Sequence, residues 1–515
     1  MPSVFGKLLR GTFWMTLRTP LQAVFAFWVV RLMVQAIGKD AYGAYAFAWG
    51  FGFLQFLFEF GMGSALQRRI AETWTLRDRA GIDHAVSCGL SLYAAVALAQ
   101  SVALLAIAYL ALPYSHWGGA SYQLIVKLLW LQVLTAPFHG LAMVVSSVLQ
   151  GARRYDVIPR LEFLIVILRF AILFFGLRKG YDFFLIVAAQ NVAGIALSLG
   201  PGLWVVVREL GYVPKFRAVG PADFAVLLRL GFAMSMIQLS VVLSDKMDTT
   251  ILGFALADPG PATAVYAIVS KPFLQVRQIG WMLSSLMMPA AASLIAAGDA
   301  GAIERLKYDG SRLLIGLLLP VALLAWIYAA PFLSLWVGGG YADQAPLMRL
   351  FLIAALPLVL TILVQIAIAS GRLGVIGASA LAGALVNLPL SYYLTTKIGV
   401  AGVIWGSVLT VLISNVLVPG VYLFRVLNMR PGTFLARALS APLWGAAALL
   451  AATSVCRAVL PPDPPGGGDG LSMSRAWPLL ANLLAGTLAY AAGYRASPRG
   501  RSDFGNILRR LLRSE

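Results

Sequence analysis

The sequence predicts an all-α, polytopic membrane protein with about fourteen transmembrane helices. Of its 515 residues, 60% are hydrophobic and only 12% are charged, and the mean hydropathy is +0.82. A soluble protein of this length could not cover so large an apolar excess with so few charged side chains. The apolar residues also fall into runs of about 20, which is the length that crosses a bilayer core about 30 Å thick.

The predicted spans follow one another with short connections, none long enough to form a soluble domain. The first apolar run lacks the short core and small-residue end of a cleaved signal, so we interpret it as the first span. The predicted spans are, in chain order, 12–37, 42–64, 88–112, 122–149, 161–177, 183–207, 232–256, 263–292, 313–335, 347–369, 375–395, 400–424, 438–460 and 477–494.

The distribution of basic residues predicts the orientation of these spans. With the N-terminus placed inside, the cytoplasmic segments carry 26 of the 40 Lys and Arg residues, and the opposite loops carry 5. Cytoplasmic loops of membrane proteins hold an excess of Lys and Arg, so both termini are expected in the cytoplasm. The chain is therefore predicted to be a multi-pass protein of the inner (plasma) membrane.

Several classes of function are excluded or disfavoured by the residues. The net charge of +19 reflects basic loops between apolar spans, so nucleic acid is not an expected partner. Cys88 and Cys456 lie in apolar runs, and the three histidines are isolated in the sequence from any acidic or Cys cluster. No metal site and no cofactor are therefore predicted.

No catalytic function is predicted either. The chain has no G-x-x-x-x-G-K-[ST] phosphate loop, so ATP hydrolysis is not expected. The longest external loop, residues 460–475, is rich in Pro and Gly, and its Asp463 and Asp469 are interpreted as solvated loop charges. A membrane-embedded glycan polymerase would need such acids for catalysis and stays a less favoured alternative. The remaining class of function is secondary transport or lipid flipping.

An internal repeat indicates two halves. LLRGTFWM at 8–15 recurs as LLRLGFAM at 227–234, and GAYAFAWGFGFLQF at 43–56 resembles AVYAIVSKPFLQV at 264–276. Six predicted spans separate the copies. Because six is even, the halves have the same orientation across the membrane and form a parallel repeat.

The sequence resembles a known family over nearly its whole length. The opening GTFWMTLRTPLQAVFAFWVVRLMVQAIGKDAYGAYAFA resembles that of polysaccharide (Wzx-type) flippases of the multidrug, oligosaccharidyl-lipid and polysaccharide (MOP) exporter superfamily. The stretch DKMDTTILGFALADPGPATAVYAIVSKPFLQV, residues 245–276, resembles the seventh-to-eighth span region of that superfamily.

The resemblance implies two six-helix lobes around a central cavity, followed by two added helices. We expect an N-terminal lobe at 1–210, a second lobe at 211–430, and two further helices with a basic tail at 431–515. It also implies a flippase that moves an undecaprenyl-diphosphate-linked oligosaccharide by alternating access, for surface polysaccharide biosynthesis. A flippase for the lipid-linked peptidoglycan precursor and a drug/cation antiporter are the alternatives within this fold. We expect a monomer that contacts membrane lipids. Its candidate protein partners are a polysaccharide polymerase and glycosyltransferases.

Charged residues inside the spans are the candidate site residues, because each costs about 2.5–3.5 kcal/mol to insert unless it faces protein or water. Bases outnumber acids in the spans, which suits a cargo carrying diphosphate. Span one has arginines and no acid, which disfavours a cation-coupled drug exporter. The candidates for cargo binding are Arg169, Lys271, Arg277, Arg31 and Lys246, with Arg169 the strongest of them.

The acidic candidates have a different expected role. Asp245, Asp248 and Glu59 are predicted either to couple transport to an ion or to form structural charge pairs. Asp245 and Asp248 are three residues apart and share a helix face, whereas Lys246 points elsewhere.

Overall fold

The computed structural model describes residues 4–285, 287–462 and 473–503. The side chains of residues 4–12, 16, 230–238, 241, 245 and 473–475 lie outside this description. Within the described ranges all regular secondary structure is helical, which confirms the all-α prediction. The chain forms two compact units, Met1–Ala264 and Val265–Glu515.

The first unit contains eight helices, and helix α9 continues from it into the second unit. Two of the helices begin at an Asp cap, because Asp78 accepts a hydrogen bond from the amide of Gly81 and Asp182 accepts one from Leu185. The helices are α1 (Val4–Gly50), α2 (Phe53–Glu59), α3 (Met62–Thr75), α4 (Arg79–Ala106), α5 (Gly119–Gly151), α6 (Val157–Arg178), α7 (Phe183–Trp204), α8 (Pro221–Ala255) and α9 (Pro259–Ser285).

The long α1 contains the first and the start of the second predicted span. Its helical geometry is interrupted at Gly38, where φ is 78° and ψ is 170°. These dihedrals are open to Gly and strained for other residues, so Gly38 separates two helical segments. The prediction that one span ends at 37 and the next begins at 42 agrees with this break.

The buried core of the first unit lies between α3, α4 and α5. Two glycines bring these helices close together. A Cβ at Gly89 would lie 2.7 Å from Leu66 Cδ2, and a Cβ at Gly151 would lie 2.7 Å from Ile70 Cγ2. Close approach of helices at small residues is the usual packing of membrane helices, where dispersion contacts replace the hydrophobic effect.

The connection between α7 and α8, residues 210–220, is bound along the start of α4 and is called the strap below. Tyr212 donates its hydroxyl hydrogen to Asp83 Oδ1 at 3.0 Å, and the Lys215 amide donates to the same oxygen at 3.3 Å. One turn later, Ser87 Oγ accepts from the Arg217 amide at 2.9 Å. Burial, and then the bond to Asp83, raise the pKa of Tyr212. The strap thereby satisfies the nearly buried Asp83, which is 2% exposed.

The second unit contains the remaining helices. They are α10 (Met287–Ala296), α11 (Ala300–Arg305), α12 (Ser311–Ile327), α13 (Ala329–Trp336), α14 (Ala345–Ile353), α15 (Thr361–Ala369), α16 (Gly374–Ile398), α17 (Val400–Val411), α18 (Val418–Val426), α19 (Pro431–Phe434), α20 (Ser440–Val459) and α21 (Met473–Ala496). Short π-helical and 3₁₀ turns join several of them into longer continuous segments.

The last two long helices, α20 and α21, pack on α12 through a buried ion pair. Arg312 donates from Nε to Asp503 Oδ2 at 2.8 Å and from Nη2 to Asp503 Oδ1 at 2.6 Å. Tyr494 adds a hydrogen bond to Asp503 Oδ2 at 2.7 Å. The bidentate geometry holds the residues after α21 against the start of α12.

Ten helical segments among the described residues are long and apolar enough to cross a membrane. One of them, Phe13–Glu59, covers the first two predicted spans. The predicted spans at 161–177, 232–256 and 477–494 coincide with α6, α8 and α21, which are outside that set. A polytopic membrane protein is therefore confirmed, and the count of fourteen stays a prediction, as do the lobe boundaries at 210 and 430.

Candidate functional site

Arg169 lies at the middle of α6, the position that made it the strongest candidate. It is twelve residues after the start of the helix, about 18 Å along the axis, and nine before its end, about 14 Å. Its side chain is exposed. At this depth a guanidinium can be accommodated only by polar protein groups or by water.

Two residues one turn apart on α7 position Arg169. Gln190 Nε2 donates to the carbonyl oxygen of Arg169 at 2.7 Å, which ties the two helices together at this level. Gly194 provides the space for the guanidinium. A Cβ atom at Gly194 would lie 2.8 Å from Arg169 Nη2 and 3.0 Å from Nε, so even Ala would collide with the side chain.

Side chains from two further helices, α1 and α5, also approach Arg169. Tyr45 of α1 and His139 of α5 are both within electrostatic range of the Arg169 charge. The guanidinium of α6 therefore has polar side chains of α1 and α5 within electrostatic range, in addition to its contact with α7. Among the described residues no carboxylate forms an ion pair with Arg169.

Aromatic ring contacts join the helices around Arg169. Phe25 of α1 stacks on Phe170 of α6 with 4.1 Å between ring centroids. Tyr45 stacks on Trp49 at 5.5 Å and meets Phe183 edge-on at 5.7 Å. These ring contacts stiffen the packing of α1 on α6 and α7.

The other bases of the first unit differ in their surroundings. Arg31 on α1 is 9% exposed and has interaction partners, whereas Lys246 on α8 is exposed. Arg18, near the start of α1, forms an ion pair with Glu162 of α6. Its charge is thus neutralised within the unit, which leaves Arg169 as the better cargo candidate.

Glu59 lies at a break between two helices. α2 ends at Glu59, and Phe60 and Gly61 follow with φ of 47° and 70°. The Tyr93 hydroxyl donates to Glu59 Oε1 at 3.1 Å, and Glu59 Oε2 is buried without a hydrogen-bond partner in the described part of the chain. Among the described residues, the side-chain partner of Glu59 is thus the phenol of Tyr93 and not an arginine. A buried carboxyl with no cation beside it is best accommodated in its neutral form.

The charges at 245–248 can be described only in part. Asp248 is 1% exposed and has interaction partners, so it is an interior group of the first unit. Lys246 is exposed and points differently, as the helical spacing predicts. The side chain of Asp245 lies outside the described residues.

The two candidate bases of the second unit are on α9. Lys271 and Arg277 are both half-buried, and both have interaction partners. Arg277 also lies over the ring of Phe273, with its guanidinium carbon 5.2 Å from the ring centroid. This is the range of a cation–π contact.

The structure corrects the prediction of isolated histidines at His84. His84 Nε2 lies 2.9 Å from Asp223 Oδ1, and Cys88 is one helical turn along α4 from His84. The three donor atoms lie within 4.8 Å of one another. Asp223 is 139 residues from His84 in the sequence, so only the fold of the strap reveals the cluster.

Sequence reasoning missed the residues that surround Arg169. Gln190 and Gly194 carried a usable signal, because a polar and a small residue four positions apart mark one face of a helix that packs on a neighbour. Tyr45 lies in the repeated stretch at 43–56, which does not link it to Arg169. His139 had no pattern that links it to Arg169.

Comparison with known proteins agrees with this architecture. The sequence pattern of the family described as "Polysaccharide biosynthesis protein" matches residues 8–290. The uncharacterized membrane protein EpsK of Bacillus subtilis (strain 168) is 25% identical over 238 residues, 45% of this chain and 46% of EpsK. The alignment thus spans about half the length of that relative.

Solved structures of MOP superfamily transporters share the fold. The lipid II flippase MurJ in an inward closed conformation aligns with a TM-score of 0.67, at 14% identity over 97% of this chain and 99% of MurJ. An inward-facing multidrug resistance MATE transporter of the MOP superfamily aligns with a TM-score of 0.64, at 14% identity over 79% of this chain and 94% of its own. These findings confirm the resemblance predicted from residues 11–48 and 245–276, and the chain belongs to the polysaccharide biosynthesis protein family.

Proposed function

We propose that this protein is a flippase that moves a lipid-linked oligosaccharide, carried on undecaprenyl diphosphate, across the inner membrane for surface polysaccharide biosynthesis. Membership of the polysaccharide biosynthesis family and a fold shared with MOP transporters support this proposal. The short connections between helices also support transport over catalysis. Movement of the cargo would occur by alternating access, with no chemical change to it.

The observation that carries the proposal is the unpaired guanidinium of Arg169. A base retained at mid-membrane depth without an acidic partner in the described structure is suited to an anionic cargo. Arg presents parallel N–H donors that match two oxygens of a phosphate group. The diphosphate that links glycan to lipid is the part of the cargo that must be held at such a depth.

The remaining candidate bases are proposed to bind cargo as well. We propose that Arg31 and Lys246 of the first unit, and Lys271 and Arg277 of the second, each contribute positive charge to cargo binding. The half-exposed and exposed positions of Lys246, Lys271 and Arg277 support access to cargo. Arg31 is more buried, and its contribution would be to the electrostatic potential rather than to direct contact.

The acids Asp245, Asp248 and Glu59 are proposed to couple transport to an ion or to balance charge. Glu59 is the best supported of the three for proton exchange, because one of its buried oxygens has no hydrogen-bond partner among the described residues. It also lies at a helix break, where a change of protonation can alter local geometry at small cost.

A second candidate is a flippase for the lipid-linked peptidoglycan precursor. The shared fold with the lipid II flippase MurJ over nearly the full length of both chains favours it. That cargo has the same diphosphate, so Arg169 would act alike in both cases. A drug/cation antiporter shares the fold as well, but an unpaired arginine in the first unit would repel a cationic drug.

The location and partners follow from this function. We propose a multi-pass protein of the inner membrane with both termini in the cytoplasm, acting as a monomer beside a polysaccharide polymerase or glycosyltransferases. The excess of Lys and Arg in alternate loops supports the orientation. No nucleic acid, cofactor or catalytic residue has a place in this mechanism.

Deletion of the gene tests the proposal. We expect lipid-linked glycan to accumulate on the cytoplasmic face, where enzymes or labels added to everted vesicles reach it, and surface polysaccharide to be lost. Accumulation of the peptidoglycan precursor instead would favour the second candidate. Normal surface polysaccharide with unchanged lipid-linked intermediates would refute both.

A further inference from the structure

We propose that His84, Cys88 and Asp223 form a binding site for a transition-metal ion, with Zn²⁺ the best match, that fixes the start of α8 to α4. An imidazole nitrogen, a thiol and a carboxylate converge there, with all three donor atoms within 4.8 Å of one another. This combination of nitrogen, sulfur and oxygen donors is typical of Zn²⁺ and unsuited to Mg²⁺ or Ca²⁺.

The positions of the donors follow from the secondary structure. His84 and Cys88 are four residues apart on α4, so their side chains lie on one helix face. Asp223 is in the first turn of α8, next to the end of the strap. The hydrogen bonds of the strap to Asp83 and Ser87 fix that first turn beside α4, so the donors are held together before any ion binds.

The distance between the nitrogen and oxygen donors is close to that of a tetrahedral site, and the sulfur lies within 4.8 Å of both. Ligands at about 2.0–2.1 Å for nitrogen and oxygen and about 2.3 Å for sulfur are about 3.3–3.6 Å apart at the tetrahedral angle. His84 Nε2 and Asp223 Oδ1 are now 2.9 Å apart, in hydrogen-bond contact. Inserting the ion therefore requires these two atoms to separate by about 0.4 Å, which side-chain rotation can supply.

Neighbouring groups orient the carboxylate for this role. The Gly220 amide donates to Asp223 Oδ2 at 3.0 Å, which leaves Oδ1 directed at His84. The carboxylate therefore presents one oxygen to the other two donors, while its second oxygen is held by the backbone. Outer groups that fix a ligand's orientation are a regular part of metal sites.

Two of the three donors are partly exposed, and the third is buried. The side chains of His84 and Asp223 are 26% and 25% exposed, whereas Cys88 is 1% exposed. A water molecule can therefore complete the coordination from the exposed side. On binding, the Cys88 thiol releases its proton to solvent, and the thiolate and carboxylate together balance the charge of the divalent ion.

Cobalt substitution tests the site directly, because Co²⁺ bound to a thiolate has a near-ultraviolet charge-transfer band and visible bands typical of tetrahedral coordination. The purified full-length protein, stripped of metal in detergent, is titrated with Co²⁺. We expect these bands in the wild type, their loss in Cys88→Ser, and their retention in Cys456→Ser, which removes the other cysteine. Addition of Zn²⁺ should abolish the bands of the wild type.

Two further variants test the site even if Cys88→Ser yields too little folded protein. His84→Ala and Asp223→Asn should each weaken Co²⁺ binding by at least about tenfold, while His116→Ala, at a histidine outside the cluster, should leave it unchanged. The proposal is overturned if the wild type shows no thiolate band. It is equally overturned if Cys456→Ser removes the band, or if His84→Ala and Asp223→Asn bind as the wild type does.

Discussion

Gly194 lies directly against the guanidinium of Arg169, on the helix that follows it in the chain. A Cβ atom at 194 would be 2.8 Å from Arg169 Nη2. α7 thus has no side chain at the position where it meets Arg169 of α6. This arrangement holds the guanidinium at the point where Tyr45 and His139 also approach it.

Gly194→Ala should lower transport without preventing insertion of the protein. The added methyl group would displace the guanidinium by several tenths of an ångström to about 1 Å, because contacts under about 3 Å cannot be kept. We expect surface polysaccharide to fall severalfold while the amount of protein in the membrane stays normal. Both are measured in a deletion strain complemented with each variant.

Gly200→Ala is the matched control for this substitution. Gly200 is on the same helix, and a Cβ there would have no neighbour within 4 Å. It should transport as the wild type does. Equal activity of the two variants would show that the position of the Arg169 guanidinium is unimportant.

Asp503→Ala should destabilise the second unit strongly. The Asp503 carboxylate is held by two nitrogens of the buried Arg312 and by Tyr494, and its removal leaves the guanidinium with the half-exposed Asp309 as its described ion-pair partner. Loss of one partner of a buried pair costs about 3–5 kcal/mol. Thermal unfolding in detergent measures the effect.

The matched control is Arg437→Ala. Arg437 and Glu304 form an ion pair 3.4 Å apart whose side chains are 46% and 48% exposed. Such exposed pairs contribute about 0–1 kcal/mol, so the unfolding midpoint should hardly change. A small effect at Asp503, similar to that at Arg437, would mean that the Arg312–Asp503 pair does not hold α20 and α21 on α12.

Asp83→Asn should loosen the strap. The carboxylate accepts hydrogen bonds from Tyr212 and from the Lys215 amide, and an amide group in its place accepts more weakly. We expect faster hydrogen–deuterium exchange across residues 211–217. Asp78→Asn, which changes only the cap of α4, should leave this exchange as it is in the wild type, and an equal increase in both variants would argue against a specific role of Asp83.

Glu59→Gln should preserve the hydrogen bond from Tyr93 while removing the exchangeable proton. Insertion and thermal stability should therefore stay close to those of the wild type. If Glu59 couples transport to protons, flipping in proteoliposomes should no longer respond to an imposed proton gradient. A variant that keeps the full response would exclude Glu59 from coupling.

The fold followed from the sequence to a large extent, because the bilayer restricts what an apolar chain can form. Runs of about 20 apolar residues and the alternation of basic loops were enough to predict an all-α membrane protein. The separation of the first two spans also followed, since Gly38 interrupts α1 where it was expected. The position of Arg169 at the middle of α6 required only its place within one predicted span.

The partners of the charged residues did not follow from the sequence. Arg18 pairs with Glu162, and Arg312 with Asp503, across 144 and 191 residues. His84 was predicted to be isolated, yet the strap brings Asp223 to it. Helical periodicity gives the face on which a residue lies, but the helix against which that face packs depends on tertiary contacts between distant segments.

The most direct test of the central claim compares the wild type and Arg169→Ala in proteoliposomes loaded with a labelled undecaprenyl-diphosphate-linked oligosaccharide. Arg178→Ala, at the end of the same helix, is the control. We expect the wild type and the control to move the label to the opposite leaflet, and Arg169→Ala to be slower by about tenfold or more, as the loss of a charge-assisted hydrogen bond requires. Transport by Arg169→Ala at the wild-type rate, with normal insertion of the variant, would contradict the assignment of Arg169 as the cargo-binding base.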